Sequence, residues 1–344
     1  MDKTISIIIP TYNMEAYLGK CLSSLVMDKG MERVEAIVVN DGSNDGSLAI
    51  AKDFAGKYPS TFRIIDKQNG NYGSCINAAL KVAIGKYIKI LDADDSFDNG
   101  SFREFIDVLD RTDVDLVLND KINVGPDSET LSALKYTQKE VFDFFRESDS
   151  RLFISIMMHN VTYRRSIFNR IDYNQSEGIF YTDNEWIFSP MACVKKAIYF
   201  DRPLYRYTIG REGQSVSNDV ILSHIHDEIA MSAKLVSDYC GMTFPSDKVH
   251  KLMLDKLYHH VRWLYKLVIV KSPGLDSRIL QTLDVTIARD TPELYRMLDN
   301  KMLSTPLFCI KYIRKWRQNP DSRLLRFVIK WYLCLLYTSD AADE

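Results

Sequence analysis

Several features common in enzymes of this size are missing from this chain of 344 residues. Its first strand-like run, Ile5-Ser6-Ile7-Ile8-Ile9-Pro10, is followed by Thr11-Tyr12-Asn13 and not by Gly-x-Gly-x-x-Gly. The glycines that let a backbone approach a dinucleotide pyrophosphate are absent, which argues against a nicotinamide- or flavin-dependent oxidoreductase. The six cysteines (21, 75, 193, 240, 309 and 334) form no Cys-x-x-Cys pair. Neither a zinc site nor a disulfide framework is indicated, and a reduced, cytoplasmic setting is expected. No apolar run reaches the roughly 18–20 residues of a membrane span. The first residues run straight into a strand pattern, so no leader peptide is expected. The net charge of −2, from 44 basic and 46 acidic residues, gives no sign of a nucleic-acid partner. What remains is an ordinary globular composition, 46% hydrophobic and 26% charged. It is long enough for two domains, or for one domain with a helical extension.

The most informative stretch runs from Lys86 to Asp95. Tyr87, Ile88, Ile90 and Leu91 make a short apolar run, the composition of a buried strand, and it ends in Asp92, Asp94 and Asp95. Extended residues at i and i+2 point the same way, so Asp92 and Asp94 face one ligand across the small Ala93. Carboxylates that close repel one another and call for a hard divalent cation, Mn2+ or Mg2+, with phosphate oxygens completing its shell. The alternative is a strand-end turn of solvated acids with an Asp capping the next helix. On either view Asp95 is expected to matter less to metal binding than Asp94.

Further strand–helix pairs precede this stretch. Val34 to Asp41 reads as a strand, Gly42-Ser43-Asn44-Asp45-Gly46 as a turn with Asn44 or Asp45 as N-cap, and Ser47 to about Tyr58 as a helix. Phe62 to Asp66 reads as a strand, Gln68 to Ser74 as a loop and Cys75 to Ile84 as a helix. Such alternation predicts an α/β fold with a doubly wound, mostly parallel sheet. The polar stretches Thr11-Tyr12-Asn13, Asp41-Gly42-Ser43 and Asp92-Ala93-Asp94 all fall at the carboxyl ends of strands, the edge where open parallel sheets bind ligands. A nucleotide suits them. Asp41 can accept from a base N–H, Tyr12 can stack on the ring, and Asp92 can reach a ribose hydroxyl. Simple packing of Tyr12 on the following helix is the alternative.

These stretches carry a resemblance. Ile8 to Asn13, Val38 to Asp45, and Gly85-Lys86-Tyr87 through Leu91-Asp92-Ala93-Asp94-Asp95 are similar, in order and spacing, to the large inverting glycosyltransferase family usually numbered two, with the nucleotide-binding fold called GT-A. The resemblance implies that Pro10, Thr11, Tyr12, Asn13 and Asp41 bind the base and ribose. It implies too that Asp92 and Asp94 bridge ribose and metal, with Asp94 the direct ligand. One departure is Cys75-Ile76-Asn77, where the family usually reads Ala-Arg-Asn. Asn77 remains a donor-site candidate, and Lys67 is the expected substitute for the missing Arg.

Beyond residue 98 the pattern is looser. Phe102 to Leu109 reads as a helix, Asp115 to Asn119 as a strand and Asn123 to Ser132 as a loop facing the acceptor; a short helix follows at Val141 to Arg146. His159 to Arg164 resembles the strand that resumes the sheet, with His159 as an acceptor contact or a structural histidine. Gly178 to Trp186 resembles the segment carrying the family's catalytic base, which assigns that role to Asp183, with Thr182 where many members have Glu. Capping of the next helix is the alternative. In a helix from Asp183, Glu185 would point about 200° away, while Trp186 would share the face of Asp183 as an acceptor platform or a core residue. After a strand at Tyr199 to Tyr207, Gly210-Arg211-Glu212-Gly213-Gln214-Ser215 suits a loop closing over a diphosphate, with Arg211 pairing to phosphate and Ser215 beside it.

From about Val220 the pattern is helical with no further strand signal. His259-His260 has no third ligand nearby, and His259-His260-Val261-Arg262-Trp263 falls one residue short of the Gln-x-x-Arg-Trp motif of processive synthases. Lys311, Arg314, Lys315, Arg317, Arg323, Arg326 and Lys330 are interleaved with Tyr312, Trp316, Phe327 and Trp331. That mix suits either an anionic membrane surface, met through residues 311–332, or a solvated basic face over an aromatic core. Residues 334–344 resemble one reading frame of a sequencing adapter.

The expected organisation is therefore a GT-A domain over residues 1–218, divided into a nucleotide-sugar half (1–98) and an acceptor half (99–218). A helical C-terminal region follows at 219–333. The expected activity is metal-dependent inverting transfer of one hexosyl or N-acetylhexosaminyl group from a nucleotide-sugar, a UDP-sugar, to a glycan or lipid-linked acceptor. The expected location is the cytoplasm, with peripheral contact to the inner face of the plasma membrane. The rival is a non-catalytic nucleotide- or sugar-binding protein on the same fold, for which a base at Asp183 would be superfluous.

Overall fold

The computed structural model describes residues 3–210, 218–272, 274–304 and 309–340. The chain divides into two compact units, Met1–Asp227 and Glu228–Glu344. In the first, β1 (Ile5–Thr11), α1 (Glu15–Ser23), β2 (Val34–Asp41), α2 (Ser47–Lys57), β3 (Phe62–Lys67), α3 (Asn71–Leu80) and β4 (Tyr87–Ile90) alternate. Then come β5 (Ser96–Phe97), α4 (Asn99–Arg111), β6 (Leu116–Val124), β7 (Glu129–Ser132), β8 (Phe142–Asp143), β9 (Val161–Arg164) and β10 (Lys196–Thr208).

The strands form one sheet in the order β3-β2-β1-β4-β9-β6-β10-β5, with β7 beside β6 and β8 beside β10. β3, β2, β1 and β4 are parallel. β9 is antiparallel to both β4 and β6, and β10 runs parallel to β6. The ends of β1, β2, β3, β4, β6 and β10 therefore share one edge. Every residue of β1 and β2 is buried, as expected of strands covered on both faces.

Helix α4 shows how a polar chain makes a core-facing helix. The Asp98 side chain accepts from Ser101 N–H to cap it, and Phe102, Phe105, Ile106 and Leu109 recur at helical spacing and are fully buried. Each such side chain is worth about 1.5–3 kcal/mol of transfer free energy.

Three boundaries differ from the expected ones. α3 begins at Asn71, inside the expected loop, where Ser74 Oγ donates to Asn71 O. A Cβ at Gly73 would come within 1.9 Å of Ser176 O, so the helix start depends on glycine where the 175–177 segment crosses it. Part of the expected loop after Asn123 instead forms an antiparallel hairpin of β6 with β7. β10 is longer than expected, with register shifts against β6 on both sides of Pro203, which has no N–H to give the ladder.

The second unit is mainly helical, including helices Asp247–Lys266, Gln281–Asp290, Pro292–Asp299, Tyr312–Gln318 and Arg323–Asp340. A two-residue pairing of Leu303–Ser304 with Cys309–Ile310 is a strand signal too short to show in the sequence pattern. Tyr312 and Trp316 are buried, Trp316 donating from Nε1 to Ser277 Oγ. Arg317 is paired with Asp284 and stacked 3.5 Å over the Tyr295 ring. These three members of the basic-aromatic set are internal and do not face a membrane. Arg323, Arg326 and Lys330 stay exposed, together with Leu324 and Phe327, each 55% exposed. Among the described residues no helix is long and apolar enough to cross a membrane.

Candidate active site at the strand ends

The loops after β1 and β2 are stitched together by side chains. Asn13 takes a left-handed backbone (φ +52°); its N–H donates to Ser43 Oγ at 3.0 Å and its Oδ1 accepts from Asn44 N at 2.8 Å. Glu15 N donates to Asp45 Oδ2, and Gly46 N donates to Glu15 Oε2. Asp45 also accepts from Ser47 N at the start of α2, so the expected capping carboxylate acts from one position before the cap residue, Gly46. Tyr12 projects from this frame and is 46% exposed, an open ring face at the edge. Pro10 and Thr11 are buried, with Thr11 Oγ1 donating to Ile9 O. Their side chains shape the edge from within.

Asp41 closes β2 with its carboxylate buried. Its Oδ1 accepts from Lys67 Nζ at 2.5 Å and from Gly70 N at 3.0 Å. Lys67 also donates to Gln68 O and Ser74 Oγ, so the lysine holds Asp41 and the start of α3 in place. Asn77 is buried, and its amide exchanges hydrogen bonds with the backbone of Gln175 and donates to Glu177 Oε1. Asn77 thus anchors the 175–177 segment.

After β4 the chain turns tightly, with Asp95 N donating to Asp92 O at 3.0 Å and Ala93 buried inside. Asp92 Oδ1 accepts from the Tyr72 hydroxyl at 2.8 Å. The Tyr205 hydroxyl accepts from Asp92 N and donates to Asp95 Oδ2 at 2.8 Å. Thr208 donates its N–H to Asp95 Oδ1 and its hydroxyl to Asp94 O. Asp95 is thus buried and pinned by two donors, which does not fit the alternative of a turn of solvated acids; Asp94 is half-buried.

The electrostatics follow from this crowding. Burial, then the charges of Asp95 and Asp94, push the Asp92 carboxyl well above its usual range. Burial and Asp94 raise Asp95 to about 7. Burial and the same carboxylates keep the Tyr72 and Tyr205 hydroxyls protonated as donors. A turn whose Asp92 and Asp95 are disfavoured as anions by burial and by neighbouring charge fits a hard divalent cation.

Asp183 opens the single helical turn Asp183–Trp186 and is half-buried. Its charge acts on Asp92, Tyr72 and Tyr207, so it belongs to the same field as the acidic turn. Glu185 is buried and accepts from Ser176 N at 3.1 Å. Trp186 is fully buried, stacked on Phe168 at 4.6 Å and edge-on to Tyr163 and Tyr173. Of the two readings of Trp186, an acceptor platform or a core residue, this packing fits the core one. His159 is 8% exposed and its ring lies 4.7 Å from Tyr205 and 4.4 Å from Tyr207. Of the two readings of His159, an acceptor contact or a structural histidine, so enclosed a ring fits the structural one. Arg211 and Ser215 lie outside the described residues.

Sequence reasoning missed Tyr72, Tyr205, Thr208 and Lys89. The signal for Lys89 was present, because a lysine inside an otherwise apolar run must find acceptors. Here its Nζ donates to Asn119 Oδ1, His159 O and Val161 O. Tyr72 sat in the expected loop, and nothing in the sequence ties Tyr205 to a turn 110 residues away.

Residues 6–172 match the family described as Glycosyl transferase family 2. The minor teichoic acid biosynthesis protein GgaB of Bacillus subtilis (strain 168) is 39% identical over 115 residues, 33% of this chain and 13% of that protein. The uncharacterized glycosyltransferase EpsJ of the same organism is 29% identical over 216 residues, 60% of this chain and 61% of that protein. The chain thus matches between 13% and 61% of the length of these two relatives. Residues 1–349 of S. aureus TarS, solved in complex with UDP-GlcNAc, share the fold with a TM-score of 0.62 at 18% identity, covering 89% of this chain and 95% of that one. The strand-end motifs, the sheet topology and the match over residues 6–172 agree: that stretch is similar to glycosyltransferase family 2, and the chain shares the fold of the S. aureus neighbour.

Proposed function

We propose that the protein transfers a single sugar, with inversion, from a UDP-sugar to a hydroxyl of a glycan or lipid-linked acceptor. The observation that carries this reading is the gathering of Asp183 and the Asp92–Asp95 turn in one field at the sheet edge, beside Tyr12 and Asp41. A protein that only bound nucleotide would have no use for a base there. Tyr12 stacks on the base, Asp41 meets the ring N–H from a position fixed by Lys67, and Asp92 reaches the ribose. The acceptor hydroxyl attacks the anomeric carbon in line, Asp183 takes its proton, and the nucleoside diphosphate departs. Asp94 and Asp92 would hold Mn2+ or Mg2+, which supplies positive charge opposite the leaving diphosphate. Arg211 would pair with that diphosphate, with Ser215 beside it.

The UDP-GlcNAc held by the S. aureus neighbour supports a UDP-sugar and a hexosyl or N-acetylhexosaminyl group. The name of the teichoic acid relative supports a cell-surface polymer as acceptor. A panel of nucleotide-sugars assayed for released nucleoside diphosphate tests the reading. Turnover of a UDP-sugar is expected, whereas tight nucleotide binding with no release from any donor would favour the binding protein.

A cytoplasmic enzyme acting on a lipid-linked acceptor would meet the inner face of the plasma membrane. The exposed Arg323, Arg326 and Lys330 with Leu324 and Phe327 offer a surface for it. Co-sedimentation with anionic liposomes should be strong at low salt and fall steeply as salt is raised. Absence of binding at low salt would make this a solvated face.

A further inference from the structure

We propose that Asp92, Asp95 and His159 form an inner site for a divalent transition metal, filled without nucleotide and independent of Asp94. One ligand atom from each of the three lies within 4.8 Å of the others. Ligands at about 2.0–2.2 Å from a shared ion stand at most about 4.4 Å apart, so small side-chain rotations close the shell.

A second observation points to a ligand. His159 is more than nine-tenths buried, and its Nδ1 has no hydrogen-bond partner among the described residues. A buried polar nitrogen left unpaired is costly, and a bound ion at that nitrogen removes the cost. The ring is held for this task between Tyr205 and Tyr207, and the His159 carbonyl accepts from Lys89. Burial together with Lys121 and Lys89 holds the imidazole neutral, the form that ligates.

The neighbouring cations do not replace the ion. Lys89 spends its donors on Asn119, His159 and Val161, and Lys121 lies 4.6 Å over the Tyr207 ring. Neither forms an ion pair with Asp92 or Asp95 among the described residues. The carboxylates are already oriented by Tyr72 on one side and by Tyr205 and Thr208 on the other, the outer support that metal ligands require. Two carboxylates and an imidazole suit Mn2+, Co2+ or Zn2+ better than Mg2+, which prefers an all-oxygen, well-hydrated shell.

The test uses the full chain, stripped of metal and free of nucleotide. Titration with Mn2+, followed by its electron paramagnetic resonance signal, should show one bound ion, and electron spin echo of the bound ion should carry imidazole 14N modulation. Loss of even an outer partner costs about 10–100-fold in metal affinity. His159→Gln should therefore weaken binding at least that much and remove the modulation, while Asp94→Asn keeps both. Asp95→Asn, which retains an acceptor for Tyr205, should weaken binding as well, and it carries the test if His159→Gln does not fold. Three results would overturn the site: no bound Mn2+ in the wild type, bound Mn2+ without 14N modulation, or affinity lost in Asp94→Asn alone. The readout involves neither sugar nor nucleotide, so its failure and that of the proposed transfer are separable.

Discussion

Asp183→Asn is expected to lower turnover by about 10²–10⁴, the usual contribution of a general base, while UDP affinity stays within about twofold, because the base acts only as the hydroxyl attacks. Asp183 is half-buried within the field of Asp92, whereas its near neighbour Glu185 is buried and spends its carboxylate on Ser176 N. Glu185→Gln should therefore change turnover far less, its cost appearing in the melting curve as a weakened charge-assisted hydrogen bond worth about 1.5–3 kcal/mol. Both variants are examined by steady-state transfer, UDP titration and thermal melting. A dead Glu185→Gln beside an active Asp183→Asn would reverse the assignment.

Asp94→Ala should remove metal-dependent UDP binding, a loss of about 100-fold or more, equivalent to about 2.7 kcal/mol. The turn itself should survive. Thr208 holds the Asp94 backbone carbonyl, Asp95 N donates to Asp92 O, and Ala93 stays packed, none of which needs the Asp94 side chain. Titrating UDP with and without Mn2+ separates the two effects. Wild type should bind more tightly with the metal, and the variant should bind equally weakly in both. Undiminished metal dependence in Asp94→Ala would mean that another group bridges ion and diphosphate.

Local pattern was enough to find the sheet edge. Ile5 to Thr11, Val34 to Asp41 and Tyr87 to Ile90 are apolar runs ended by polar residues, and parallel pairing puts those ends together whatever the details between them. What escaped the sequence depends on long-range packing. Trp186 and Asn77 carry the residue types of a binding site, yet Trp186 packs edge-on to Tyr173 and Asn77 bonds to Gln175, where the following residue, Ser176, crosses α3 at Gly73. Asp95 was expected to matter less to the metal than Asp94, and the sequence did not show what would surround it. It became a buried acceptor because β10 brings Tyr205 and Thr208 alongside the turn.

The most direct measurement of the central claim is a time-resolved NMR spectrum of the anomeric signals during turnover of the UDP-sugar that releases nucleoside diphosphate. The first-formed product should carry the configuration opposite to that of the donor, and its appearance should collapse with Asp183→Asn while UDP still binds. A product that retains the donor configuration, or unchanged turnover in Asp183→Asn, would contradict the account.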